Sequence, residues 1–129
     1  MKILHHGLTF RSKEESDKFF IDFLGLEIKR SFMGEKWLMK ECFGVDQDIE
    51  IIHYGNEEVL LEVFIIDNVS VKEDKIVHIC IKVDERDSLV DKAAAMGIES
   101  IVIPRKESEK GYYLFIRDSS YNLYEIKQV

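Results

Sequence analysis

Apolar and polar positions divide the chain into short segments of two kinds. Residues 3–10, ILHHGLTF, alternate as a strand does, with Leu4, Leu8 and Phe10 in one register and His5, Gly7 and Thr9 in the other. Ser12 then starts a helix, and Glu15 stands at the spacing of a capping box. Phe19, Phe20, Phe23 and Leu24 recur at helical spacing, and Gly25 is placed to end the helix. Strands are expected at 26–32 (LEIKRSF), 49–55 (IEIIHYG) and 59–66 (VLLEVFII), the last two joined by a turn at Asn56–Glu58. Between the first two lies EKWLMKECFGV, which reads equally as a short helix or an irregular excursion. Residues 67–75 are polar and read as a linker.

The order then repeats. IVHICIKV (76–83) is a strand rich in β-branched residues, with Val77, Ile79, Ile81 and Val83 in the register that packs on a helix and His78 and Cys80 opposite. Asp84 begins a helix with Leu89, Val90, Ala93 and Ala94 on one face, ended by Gly97. Strands follow at 98–103, 112–117 and 122–129, with a loop at 104–111 that holds the only proline. The chain therefore duplicates one β-α-β-β-β unit, and the expected class is α+β: one domain over 1–129, with module one at about 1–66, the linker at 67–75 and module two at 76–129. His5 falls over His78, Gly25 over Gly97 and Glu62 over Glu125.

Each module thus carries a histidine in its first strand and a glutamate in its last. Glu62 stands between Leu61 and Val63 in an otherwise apolar strand, where a carboxylate is costly unless it is paired, hydrogen-bonded or bound to metal. Two imidazoles and two carboxylates suit a borderline divalent cation. Taken alone, His78 would be read as a structural residue; the duplicated pair changes that. The other candidates are bland. His6 has the register of the helix-packing face, and His53 is a strand-face histidine near solvent or the cavity. Cys80 reads as a small buried thiol, Trp37 and Phe43 as core, and Lys106 and Lys110 as loop cations.

The stretches MKILHHGLTF, FFIDFLGLEI, VLLEVF, IVHICIKV and RDSSYNLYEI resemble the vicinal-oxygen-chelate superfamily of glyoxalase I, epimerases, extradiol dioxygenases and bleomycin-resistance proteins. The pattern is nearest to small bacterial glyoxalase I. The resemblance implies that the two modules form a cup-shaped mixed sheet, the glyoxalase-like fold. It implies that His5, Glu62, His78 and Glu125 are the metal ligands, with Ni, Zn or Co as the metal and Mn or Fe as alternatives. It also implies a lyase or isomerase that abstracts a proton next to a carbonyl through a metal-stabilised enediolate. Glu125 is then the first choice for the base and Glu62 the second. The alternatives are an epimerase, an Fe(II) extradiol-type dioxygenase, or a non-catalytic member that binds a ligand or antibiotic. Three features depart from the family: Asp118–Asn122 replaces the usual Asp-Pro-Asp-Gly-Asn turn, Thr9 stands where glutathione-dependent members carry a basic residue, and the 33–48 excursion is longer than in minimal enzymes.

Bulk properties exclude other classes. A net charge of −7 argues against nucleic acid or an anionic membrane as partner. No apolar run is long enough to span a bilayer, and MKILHHGLTF lacks the apolar region of a signal peptide. Two cysteines make no disulfide framework. A cytoplasmic homodimer acting on a small molecule is expected, dimerisation covering sheet edges and apolar surface.

Overall fold

The computed structural model describes residues 2–68, 76–106 and 110–129. The chain divides into two compact units, Met1–Val69 and Ser70–Val129. Each holds a four-stranded mixed sheet with a helix after its first strand, which is the α+β duplication the pattern predicts. Residues 69–75 of the expected linker lie outside the described residues; Asp67 and Asn68 form a turn.

In the first unit, β1 (His6–Phe10) leads to α1 (Lys13–Asp17), which continues as a π-helix over Lys18–Phe23. The Ser12 hydroxyl accepts from Glu15 N at 3.1 Å, satisfying one of the free first-turn donors. Gly25 takes φ +72°, the left-handed cap conformation that glycine adopts without a steric penalty. Then come β2 (Glu27–Gly34), α2 (Lys36–Phe43), β3 (Ile49–Gly55) and β4 (Leu60–Ile65), in the sheet order β1-β4-β3-β2. The β1–β4 pairing is parallel and the others antiparallel. One sheet face carries Phe10, Ile52, Tyr54, Leu61 and Val63, all buried, and the apolar stripe of Phe19, Phe20 and Phe23 is buried with them. The Phe20 ring stacks 4.8 Å from that of Tyr54.

The second unit repeats the plan: β5 (Ile79–Val83), α3 (Arg86–Met96), β6 (Glu99–Pro104), β7 (Tyr112–Arg117) and β8 (Leu123–Gln128), in the order β5-β8-β7-β6. Its β5–β8 pair is again parallel. Glu85, not Asp84, is the N-cap of α3, and Gly97 ends the helix at φ +67°. Of the expected helix face, Ala93 is buried, Leu89 and Val90 are half-buried and Ala94 is exposed. The turn before β8 is held by Asp118, whose carboxylate accepts from Ser120 N, Asn122 N, Asn122 Nδ2 and Tyr124 Oη.

Three expectations about packing are corrected, the first being that Cys80, read as a buried thiol, is exposed. His6 is exposed, because the helix begins only at Lys13 and covers the far end of β1, where Phe10 is buried. Trp37 and Phe43 are not core: they are 63% and 58% exposed. The excursion is a helix, α2, and a single side chain anchors it. Met39 is buried with Ile49 and Ile51, while Phe32, Val45, Phe64 and Ile66 pack around them.

Candidate metal-binding face

The strand registers decide which side chains share a face. Glu62 on β4 lies between Gly7 on β1 and His53 on β3. Glu125 on β8 lies between Cys80 on β5 and Phe115 on β7. His5 precedes Gly7 by two residues and His78 precedes Cys80 by two, so the period of a strand turns each histidine to its glutamate's side. Both histidines stand immediately ahead of their strands rather than within them.

The contacts agree with this register. His5 Nε2 is 3.5 Å from Glu62 Oε1, and His78 Nε2 is 3.6 Å from Glu125 Oε2. The two glutamate side chains are each 18% exposed and the two histidines 44% and 38%, so each pair opens to solvent through its imidazole. His78 Nδ1 lies 2.7 Å from the carbonyl oxygen of Ile76. A carbonyl only accepts, so Nδ1 carries a proton and Nε2 is the ring nitrogen turned toward Glu125.

These pairs fit a divalent cation. Ligand atoms at bonds of about 2.0–2.2 Å on a tetrahedral ion stand roughly 3.3–3.6 Å apart, the separation at which both pairs are set. The spacing is also too long for a strong hydrogen bond, so neither pair is closed upon itself. Within either unit, among the described residues, no group of three or more histidine, cysteine and acidic side chains stands in a metal-holding arrangement. Each unit brings one imidazole and one carboxylate together.

The surroundings of the two pairs differ. Glu62 also meets His53, with Nε2 at 2.7 Å from Oε2. His53 is 14% exposed, and its ring meets Phe32 edge-to-face at 5.3 Å. On the same face, Phe64 stacks against Phe43 of α2 at 5.2 Å. The first unit's pair is therefore bordered by an apolar wall of Phe32, Ile51, Phe64 and the inner side of α2. In the second unit Lys127 Nζ lies 3.5 Å from Glu125 Oε1 and the His78 ring meets Phe115 at 5.9 Å. Desolvation pushes the Cys80 thiol above its ordinary range, and the hydrogen bond and charge of Glu125 add to it, which disfavours the nucleophilic thiolate.

Sequence reasoning alone does not find His53 opposite Glu62. The strand and its face are legible, but the partner depends on the centre of the β3–β4 turn. Asn56 Oδ1 accepts from both Glu58 N and Val59 N, giving a four-residue turn in which Gly55 pairs with Leu60. Lys106 and Lys110 are exposed and contribute to neither pair; residues 107–109 of their loop lie outside the described residues.

A family model described as Glyoxalase/Bleomycin resistance protein/Dioxygenase superfamily matches residues 2–126. No curated protein sequence matches the chain significantly. Among solved structures, the genomically encoded fosfomycin resistance protein FosX of Listeria monocytogenes is similar, with a TM-score of 0.73 at 14% identity over 100% of this chain and 93% of that one. The glyoxalase family protein of Enterococcus faecalis has a TM-score of 0.73 at 17% identity, over 97% and 95% of the two chains. A mutant of the Listeria protein solved with Mn(II) and 1S,2S-dihydroxypropylphosphonic acid has a TM-score of 0.70 at 16% identity, over 97% and 87%. At these identities the structural likeness speaks for the fold, and the family model speaks for descent: the protein belongs to the Glyoxalase/Bleomycin resistance protein/Dioxygenase superfamily.

Proposed function

We propose that this protein is a metal-dependent lyase or isomerase of the glyoxalase I type, with His5, Glu62, His78 and Glu125 as the ligands of one divalent cation. The observation that carries this reading is the duplicated donor pair: imidazole Nε2 and carboxylate oxygen at 3.5 and 3.6 Å, at equivalent positions of both modules. Nitrogen and oxygen donors favour Ni, Zn or Co, and Mn and Fe remain compatible with them. That a FosX structure of the same fold holds Mn(II) supports including Mn in the trial set. Two free cysteines fit action in the cytoplasm, and a homodimer is part of the same reading.

A bound divalent cation would supply Lewis-acid polarisation of a substrate oxygen and stabilise the charge that develops as the neighbouring carbon loses its proton. The protein's own residues do the rest. Glu125 takes the proton from that carbon and returns it, to the adjacent carbon in a glyoxalase-type isomerisation or to the same carbon in an epimerisation. His78, fixed through Nδ1 by the Ile76 carbonyl, keeps its Nε2 turned to Glu125. Glu62 is the carboxylate of the first unit, and Phe32, Ile51 and Phe64 border it with apolar surface. No substrate cation is offered at Thr9, so hemithioacetals of glutathione and of other thiols belong together in a substrate screen with acyl-CoA epimers.

The test is metal content by mass spectrometry on protein purified without chelator, together with turnover. One metal per chain in the wild type, lost in His78→Ala, is expected. Glu125→Gln should abolish turnover with the far-ultraviolet circular dichroism unchanged. Absence of metal in the wild type after exposure to Ni, Co, Zn and Mn would end the reading, and a fully active Glu125→Gln would remove Glu125 as the base.

A further inference from the structure

The two modules carry the same histidine–glutamate pair, but the residue facing each glutamate across the antiparallel strands is different. Glu62 faces His53 and Glu125 faces Phe115. His53 Nε2 lies 2.7 Å from Glu62 Oε2, while His5 Nε2 lies 3.5 Å from Glu62 Oε1, so the two carboxylate oxygens have separate partners. A carboxylate only accepts, hence Nε2 of His53 is the protonated nitrogen and the bond is charge-assisted. The pair is shielded, at 14% and 18% exposure, and the imidazole is braced by the edge-to-face contact with Phe32. Arg30, paired with His53 across β2, stacks its guanidinium 4.3 Å over the same Phe32 ring.

Glu125 has no imidazole clamp, and the donor beside it on β5 is the Cys80 thiol, a weak one. The phenyl ring of Phe115 donates no hydrogen bond, and the oxygen turned away from His78 meets Lys127 at 3.5 Å, a side chain 55% exposed to water. One carboxylate is therefore held by a short bond from a shielded imidazole, and the other only by a weak thiol donor and an exposed ammonium.

We propose that His53 is a positioning residue: by fixing Glu62 Oε2 it presents Oε1 as a permanent metal ligand, and the more weakly held Glu125 is left as the carboxylate that carries the proton. This inference rests on the metal-binding reading above. Outer partners of metal ligands orient them and commonly govern affinity by 10–100-fold.

The experiment is titration of the full chain with Co(II), followed by calorimetry and by visible absorption of the bound ion, on wild type, His78→Ala, His53→Phe and His53→Gln. His53→Phe copies the second module's residue and should weaken Co(II) binding by about 10–100-fold and alter the absorption bands. His53→Gln, whose amide can donate to the same oxygen, should recover most of the affinity and the wild-type spectrum. Should His53→Phe fail to fold, His53→Met removes the donor with a flexible apolar side chain and is expected to behave in the same way. If wild type binds no Co(II), or binds it as well without His78, the metal reading falls and the role of His53 falls with it. If His78→Ala loses Co(II) but His53→Phe or His53→Met keeps wild-type affinity and spectrum, only the role of His53 is refuted.

Discussion

Replacing Tyr54 by phenylalanine isolates one bond that fastens the helix of the first unit to its sheet. Tyr54 is fully buried, and its hydroxyl donates to Asp17 Oδ1 at 2.6 Å. Ser16 Oγ lies 2.6 Å from the Tyr54 hydroxyl oxygen and 2.9 Å from the Lys13 carbonyl, so the single serine proton has two acceptors. Burial, with the hydrogen bond to Asp17 next, drives the Tyr54 pKa far above the ordinary tyrosine value, so the donor persists into alkaline solution. Removing it costs one hydrogen bond to a charged group, net about 1.5–3 kcal/mol. Ser16 keeps the Lys13 carbonyl, and Asp17, partly open to water, is rehydrated, which places the loss near 2 kcal/mol. For a chain of this length that is a fall in Tm of roughly 6–10 °C. Urea and thermal unfolding of Tyr54→Phe, Asp17→Ala and the double variant measure it, and the pair should show a coupling above about 1 kcal/mol. Additive losses, or a loss under about 0.5 kcal/mol in Tyr54→Phe, would refute the bond as a stabilising element. Because Tyr54 and His53 point to opposite faces of β3, Co(II) affinity should not change.

Two other perturbations read the backbone and the second turn. A Cβ on Gly55 would stand 2.3 Å from the Val59 carbonyl oxygen and 3.3 Å from Leu60 Cα, both backbone atoms of its own hairpin. Gly55→Ala should therefore cost at least about 2 kcal/mol in urea unfolding, more than Gly34→Ala, whose clashes are with the movable side-chain ends of Met39 and Ile51; equal losses would contradict this. Asp118 is buried, and desolvation raises its pKa despite the hydrogen bonds it accepts from Asn122, Tyr124 and Ser120. A carboxylate raised on folding contributes stability that is present at acid pH and lost as pH rises from the ordinary carboxylate value through the raised one. The stability advantage of wild type over Asp118→Asn should thus shrink from pH 4 to pH 7, and growth of that difference with pH would reverse the assignment.

What was legible in the sequence follows from which forces act locally. Period-two runs, the Ser12 cap and the glycines at 25 and 97 each encode their own geometry, and the structure reproduces them. The duplication adds a second reading of the same pattern, which is why His5 with Glu62 and His78 with Glu125 could be paired before any contact was seen. The partner of Glu62 was hidden because a hairpin whose turn is centred half a residue away gives a different cross-strand neighbour. The character of 36–43 was hidden because its inner face is thin: Met39 alone is buried, Phe43 one turn on meets Phe64 but is 58% exposed, and Trp37 and Leu38 are exposed. Tyr121 is likewise unannounced, a non-glycine residue at φ +68° in the turn where the family pattern has glycine. Asp118, the caps on the turn and the buried Tyr124 hold it there.

The duplicated halves can be compared position by position through their registers, and the comparison separates packing from chemistry. On the helix-facing side, Leu61 and Val63 correspond to Tyr124 and Ile126, and Ile52 and Tyr54 to Leu114 and Ile116. All eight are buried, so a demand for apolar volume accounts for them and identity is not required. On the opposite side, Gly7 corresponds to Cys80, Arg30 to Ile101 and His53 to Phe115, pairs unlike in size and polarity. A face that tolerates such changes places little packing constraint on its residues. Yet on this same face the histidine and the glutamate are the same in both modules, at nearly the same separation. A half-buried glutamate in an apolar strand is costly to retain twice for packing alone, and the proposed shared requirement for two donor atoms at ligand spacing would account for the likeness of these two positions and not of their neighbours.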